Sequence, residues 1–140
     1  MLQLAYVSVA SAPFSAVSLR TLLTSARTRN SARGVTGVLL YQSGSFMQVL
    51  EGEPAIVEGI FAKIQRDPRH RDVLVLLRGD IETRNFGDWS MGFVDVLASA
   101  ITLPGFRSGK AFQDLVGDTK SIERVVRGFR DGRWQQTQTA

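Results

Sequence analysis

The sequence predicts an α+β protein of the ferredoxin-like type. The expected form is a βαββαββ sandwich with two helices on one sheet face and C-terminal helices on the other. Three patterns carry this expectation. Short apolar runs rich in β-branched residues recur five times, two intervening segments repeat apolar residues at helical spacing, and one hairpin is apolar on both faces.

Residues 2–9, LQLAYVSV, alternate and read as the first strand. A loop at Ala12-Pro13-Phe14 follows, with Ser15 placed to cap a helix. Leu19, Leu22, Leu23 and Ala26 fall on one stripe and predict a helix over 16–29, which Asn30 and Gly34 end. The runs 35–42 and 45–51, split by Ser43-Gly44, read as a hairpin. Pro54 suits a first helical position, and Ile56, Val57, Ile60, Phe61 and Ile64 form a second stripe that stops before Pro68. Residues 72–79 and 89–96 read as the fourth and fifth strands.

If the hairpin pairs Tyr41 with Phe46, Leu39 opposes Gln48 on one face. The other face then carries Val38, Leu40, Met47 and Val49, so both faces need cover. Two helices can cover only one. Ile122, Val125, Val126 and Phe129 lie at helical spacing, so residues 109–131 are expected to form one or two helices on the second face. A homodimer through that face is the competing account. Residues 1–97 are thus expected to be one domain and 98–140 a helical extension packed on the sheet, flexible at its last residues.

Composition narrows the chemistry. The 140 residues fit one domain and are 44% hydrophobic. Cysteine is absent, which excludes disulfides, thiolate metal sites and cysteine nucleophiles together. The one histidine, His70, has no carboxylate cluster around it in sequence, so no metal site is expected. No apolar run approaches the roughly 18 residues of a membrane span, and the N-terminus lacks signal-peptide features, so a cytoplasmic location is expected. The net charge of +4 comes from scattered arginines, which reads as a solvated surface rather than a nucleic-acid patch.

Two residues stand out. Tyr6 and Gln48 sit mid-strand in runs that should be buried, and a buried glutamine amide requires partners. From residue types alone a structural Tyr–Gln pair is the simpler account. Asn30 by itself reads as a helix C-cap, and Lys63 and Asp67, four apart, as a surface ion pair. Trp89-Ser90-Met91 by itself reads as core at the last strand.

Taken together these residues resemble the BLUF family, blue-light sensors using FAD, over about residues 1–96. The resemblance rests on Tyr6, Asn30, the run Val35-Thr36-Gly37-Val38-Leu39-Leu40-Tyr41, the run Phe46-Met47-Gln48-Val49-Leu50-Glu51-Gly52, Asp67-Pro68-Arg69-His70, Phe86 and Trp89-Ser90-Met91. It implies a flavin held non-covalently between the two helices: FAD, with FMN and riboflavin as alternatives. It implies that Leu22 and Ile64 sandwich the ring, that Asn30 bonds its polar edge, and that Lys63 and Asp67 flank the pyrimidine side. Gln48 would reach the flavin N5 and O4 with Tyr6 bonded to Gln48, and Trp89 and Met91 would relay the change into the sheet. An excited flavin is a strong oxidant that a nearby tyrosine can supply with an electron and a proton. A glutamine amide, with a donor end and an acceptor end, can reverse its hydrogen-bond polarity. Without cysteine, sensors that form a thiol adduct are excluded.

About 44 residues follow the last strand, so the chain resembles the short, stand-alone members. Its output is expected to reach a separate effector protein by contact or through a change in assembly. A homo-oligomer is expected, with no membrane or nucleic-acid partner. The alternative is a ferredoxin-like RNA- or protein-binding module without light chemistry. RNA-recognition domains share the element order, but the third strand here has a single aromatic and no Arg/Lys-Gly-aromatic pattern. A flavin-dependent enzyme would need a substrate pocket and a hydride source, and no dinucleotide Gly-rich motif is present. The chain is therefore expected not to be an enzyme.

Overall fold

A computed structural model describes residues 1–12, 14–42, 44–86, 90–95 and 120, with 42 and 93–95 described through their backbone. The elements are β1 (Leu2–Ala10), α1 (Ala16–Arg33), β2 (Thr36–Gln42), β3 (Ser45–Gly52), α2 (Pro54–Arg66), β4 (His70–Asp80) and β5 (Gly92–Asp95). This is the expected ferredoxin-like α+β order. The strands form one sheet in the order β4-β1-β3-β2-β5. The first four pair antiparallel, and β5 adds to the edge parallel to β2.

The hairpin register is the expected one, with Tyr41 opposite Phe46 and Leu39 opposite Gln48. Gly44, at φ 81, makes the turn without the steric penalty a side chain would meet there. β1 and β3 lie at the centre, and their register sets Tyr6 directly opposite Gln48.

Helix α1 starts where the sequence places it. Ser15 accepts from the Ser18 backbone N–H at 3.0 Å, and the Ser18 hydroxyl accepts from the Ser15 N–H at 2.7 Å, a reciprocal cap. It ends later than expected. Asn30 is not a C-cap: it is fully buried inside the helix, and its side-chain N–H donates to the Ser90 carbonyl rather than to its own helix end. Gly34, left-handed at φ 68, stops the helix as the sequence predicts. Helix α2 begins on Pro54 and ends at Arg66, and Asp67 is extended because it precedes Pro68, where the α conformation is disfavoured. β4 begins two residues earlier than expected because His70 pairs with Ala10, and β5 begins three residues later. Asp72, at φ 52, lies where the β1–β4 register shifts, the mark of a bulge.

Both helices pack on one sheet face. Leu19, Leu23 and Ala26 of α1 and Val57, Ile60 and Phe61 of α2 join Leu4, Tyr6, Leu39, Phe46 and Leu50 in one core. On the other face Val7, Val38, Leu40, Met47 and Val49 are buried too. The boundary at 97–98, Trp89 and, apart from residue 120, the helices expected over 109–131 lie outside the described residues.

Candidate functional site

The floor of the site is built by the two central strands. Alternation puts Tyr6 of β1 and Gln48 of β3 on the helix-covered face, and pairing sets them side by side. Both are buried, at 1% and 5% exposure. The Tyr6 hydroxyl donates to Gln48 Oε1. Gln48 Nε2 points at Met91 Sδ, 3.5 Å away, so the amide has one strong and one weak partner. Burial pushes the Tyr6 phenol well above its usual range; the Arg29 charge pulls the other way and Asp67 adds to the rise. The phenol is therefore neutral at physiological pH and holds a proton to give.

Above this floor the helices leave a cleft. Leu22, Ala26 and Arg29 line it from α1, and Ile60, Lys63 and Ile64 from α2. Spacings of three and four residues put each set on one helix face. Leu39 joins Tyr6 and Gln48 below, and Asp67, Arg69 and His70 line the cleft from the α2–β4 connection and the start of β4. The walls are apolar and the rim is charged.

The rim is unevenly charged. Arg69 holds Asp67 through two nitrogens, Nε at 3.0 Å and Nη2 at 2.6 Å from Oδ2, and these bonds bring the Asp67 carboxyl down to about 2. Lys63 and Asp67 do not form the ion pair that their spacing allows: Asp67 has left the helix and faces Arg69 instead. Arg29 Nε is buried with no hydrogen-bond partner, and its positive charge is disfavoured first by burial and then by Arg33. His70 bonds the Ser8 hydroxyl at 3.0 Å and packs near the Phe46 ring. Its burial lowers the imidazole below its ordinary range.

The cleft thus brings together six residues singled out from sequence: Tyr6, Leu22, Gln48, Lys63, Ile64 and Asp67. Asn30 and Met91 stand beside it. Asn30 Nδ2 donates to the Ser90 carbonyl at 2.8 Å, while its Oδ1 is buried without a partner. Met91 is fully buried in the helix-side core, and its carbonyl accepts from Arg27 Nε at 2.8 Å. Sequence reasoning passed over Ala26 and Ile60, although each lies four residues from a wall residue it did name. It named Arg69 only within the run Asp67-Pro68-Arg69-His70 and gave it no role, whereas the fold places it in the cleft lining beside Asp67. Among the described residues no group of side chains could hold a metal ion, and no helix is long and apolar enough to cross a membrane.

Residues 1–92 match the family model described as BLUF, sensors of blue-light using FAD. The chain is 38% identical over 135 residues to photoactivated adenylate cyclase subunit alpha of Euglena gracilis, which covers 94% of this chain and 13% of that protein. It is 36% identical over 89 residues to the beta subunit of Euglena longa, covering 63% of this chain and 10% of that protein. The chain therefore spans only a small part of these curated relatives. Among solved structures, BlsA in its ground state superposes with a TM-score of 0.78 at 28% identity, over 99% of this chain and 93% of that one. The dark-state structure of BlrB, a BLUF protein, gives 0.75 at 26%, over 94% and 96%. Klebsiella pneumoniae BlrP1 with FMN and cyclic diGMP gives 0.67 at 31%, over 95% and 36%.

Proposed function

The chain belongs to the BLUF family of blue-light sensors using FAD, and from that premise we propose that Tyr6 and Gln48 read the state of a non-covalently bound flavin and signal to a separate partner protein. The observation that carries this reading is the buried Tyr6–Gln48 hydrogen bond on the floor of an apolar-walled cleft.

The residues present fit a flavin. Its flat ring system needs apolar walls on two sides, which Leu22 and Ala26 of one helix and Ile60 and Ile64 of the other provide. Its imide N–H needs an acceptor, and Asn30 Oδ1 is buried without one to serve. Its carbonyl and phosphate oxygens need donors, and Arg29 Nε is buried and unpaired. Lys63 and Asp67 stand at the rim for the ring's polar side. FAD is the flavin of the family's description, and FMN offers the same ring.

When bound, the flavin supplies a light-excited oxidant. Tyr6 is the donor: its buried, neutral phenol can release its proton along the bond it already makes to Gln48 Oε1. Gln48 is the switch. Its Nε2 is held only by a thioether sulfur, a weak acceptor, so turning the amide sacrifices little on that side. Turning it exchanges donor for acceptor toward Tyr6 and the cleft, and shifts what Met91 meets. Met91 and Trp89 would carry that shift onward, and the apolar walls keep water from competing for the amide. The photosensor itself performs no enzymatic turnover in this reading. Its output goes to a separate effector or a change in assembly.

An absorption spectrum in darkness and under blue light tests the reading. The purified protein should be yellow, with flavin bands that move slightly to the red in light and return in darkness. Gln48→Leu should keep the flavin and lose the shift. A colourless protein that takes up no added flavin overturns the assignment of the cleft, and a normal shift in Gln48→Leu removes Gln48 from the mechanism.

A further inference from the structure

Glu51 is a carboxylate with no exposure at all, three residues beyond Gln48 on β3 and hence on the opposite sheet face. A buried charge is costly unless several donors satisfy it. Here they do. Its Oε2 accepts from Gln3 Nε2 at 3.1 Å and from the Asn85 backbone N–H at 2.9 Å, and its Oε1 from the Phe86 N–H at 2.9 Å and the Thr36 hydroxyl at 3.3 Å. Gln3 and Thr36 are its direct cross-strand neighbours on β1 and β2. The two backbone donors belong to the connection between β4 and β5.

That connection has far to go. It leaves β4 at one edge of the sheet and reaches β5 at the other, beside β2. Glu51 grips it on the way. Arg84 reinforces the grip by donating to the Gly34 carbonyl at 2.7 Å, the Thr36 hydroxyl at 2.8 Å and the Glu51 carbonyl at 3.0 Å. Five residues past Phe86 the chain is on the helix side. There Ser90 and Met91 are held by Asn30 and Arg27, and Met91 Sδ meets Gln48. One segment is thus fastened at both ends, to Glu51 on one face and to the Gln48 neighbourhood on the other.

We propose that Glu51 is a positioning residue for the light switch: its carboxylate pins the Asn85–Phe86 backbone, so that Met91 meets Gln48 and Ser90 meets Asn30 in one fixed arrangement. This rests on the reading of the chain as a flavin light sensor. With Asn85 and Phe86 pinned, a turn of the Gln48 amide has to displace Met91 in a chain that is held only five residues earlier. With that hold released, Met91 yields more easily and the return in darkness meets a lower barrier.

The test is Glu51→Gln in the full chain loaded with FMN. A glutamine offers one acceptor oxygen in place of two, so the Asn85 and Phe86 N–H groups cannot both be satisfied. The red shift should persist, because Tyr6 and Gln48 lie on the other face. Dark recovery should accelerate about fivefold, the scale of one lost hydrogen bond. Amide hydrogen exchange should rise at 84–86 and also at 90–92, while α1 and α2 keep their protection. A lower melting temperature with parental recovery and parental exchange at 90–92 would make Glu51 an ordinary buried polar residue and overturn the proposal. Arg84→Gln, which leaves the buried carboxylate in place, should move recovery in the same direction by a smaller factor and settles the question if Glu51→Gln does not fold. Absence of any light-induced shift in the parent protein sinks the sensor reading beneath the proposal, and it is recognised without any variant.

Discussion

In the proposed switch, Gln48 is useful because one of its partners is poor. A glutamine bonded firmly at both ends would be a structural residue, and one with no partner would destabilise the core by on the order of 1–3 kcal/mol. The Tyr6 hydroxyl on one side and a thioether on the other hold the amide firmly at its oxygen and weakly at its nitrogen, which is what the proposed turn requires. Arg29 shows the complementary principle, a charge that the protein alone does not neutralise. Beside it, Arg69 is already matched by Asp67, and among the described residues Arg29 and Lys63 have no carboxylate partner. A neutral ring would leave that surplus in place, whereas a flavin phosphate would offset it. Arg29→Ala should therefore weaken FMN binding about tenfold, the scale of one charge-assisted bond, and change riboflavin binding little. Fluorescence titration with both flavins reads this. Equal losses for the two would place Arg29 against the ring rather than the phosphate.

At the scale of elements, the β2–β3 hairpin fixes the floor. Its register sets Leu39 beside Gln48, and a slip of one residue would turn Gln48 to the far face. Gly37 guards that register. A Cβ there would collide with the Val49 carbonyl oxygen, which is backbone and cannot swing away. Gly37→Ala should cost about 3 kcal/mol or more by forcing the strands apart. Denaturant unfolding measures it, and a change below about 0.5 kcal/mol would mean that the strands part at little cost. Helix α1 shows how an element end shifts a function. Because Gly34 rather than Asn30 stops the helix, Asn30 keeps regular geometry and its amide faces inward to Ser90.

The whole molecule joins these parts by bringing distant segments to one cleft. β1, α1, β3, α2 and the start of β4 each contribute to its lining. A ligand held by all of them binds the folded chain and not the unfolded one, so it should stabilise the entire domain. At free FMN one hundred times its dissociation constant the gain is about 2.7 kcal/mol. The melting temperature of flavin-free protein should accordingly rise by several degrees on adding FMN. Melting that is indifferent to FMN would contradict a site built from both helices.

Local pattern determined a good deal here. Alternation located the strands, helical spacing located the helices, and two apolar runs around Ser43-Gly44 set the hairpin register, because each rests on neighbours in the chain. The oddity of Tyr6 and Gln48 was visible too, since a polar side chain inside a buried run must find a partner. Other features depended on contacts between distant segments. Asn30 read as a cap until the fold brought Ser90 to it. The Lys63–Asp67 pair failed for a local reason instead: the turn after α2 gives Asp67 to Arg69, two residues on. Glu51 looked like the end of a strand, and nothing near it in sequence shows that residues 34 and 35 positions later supply its donors. Short-range patterns fix what each segment becomes, whereas the partners of a buried polar group are chosen by whichever donors and acceptors the folded chain brings within about 3 Å.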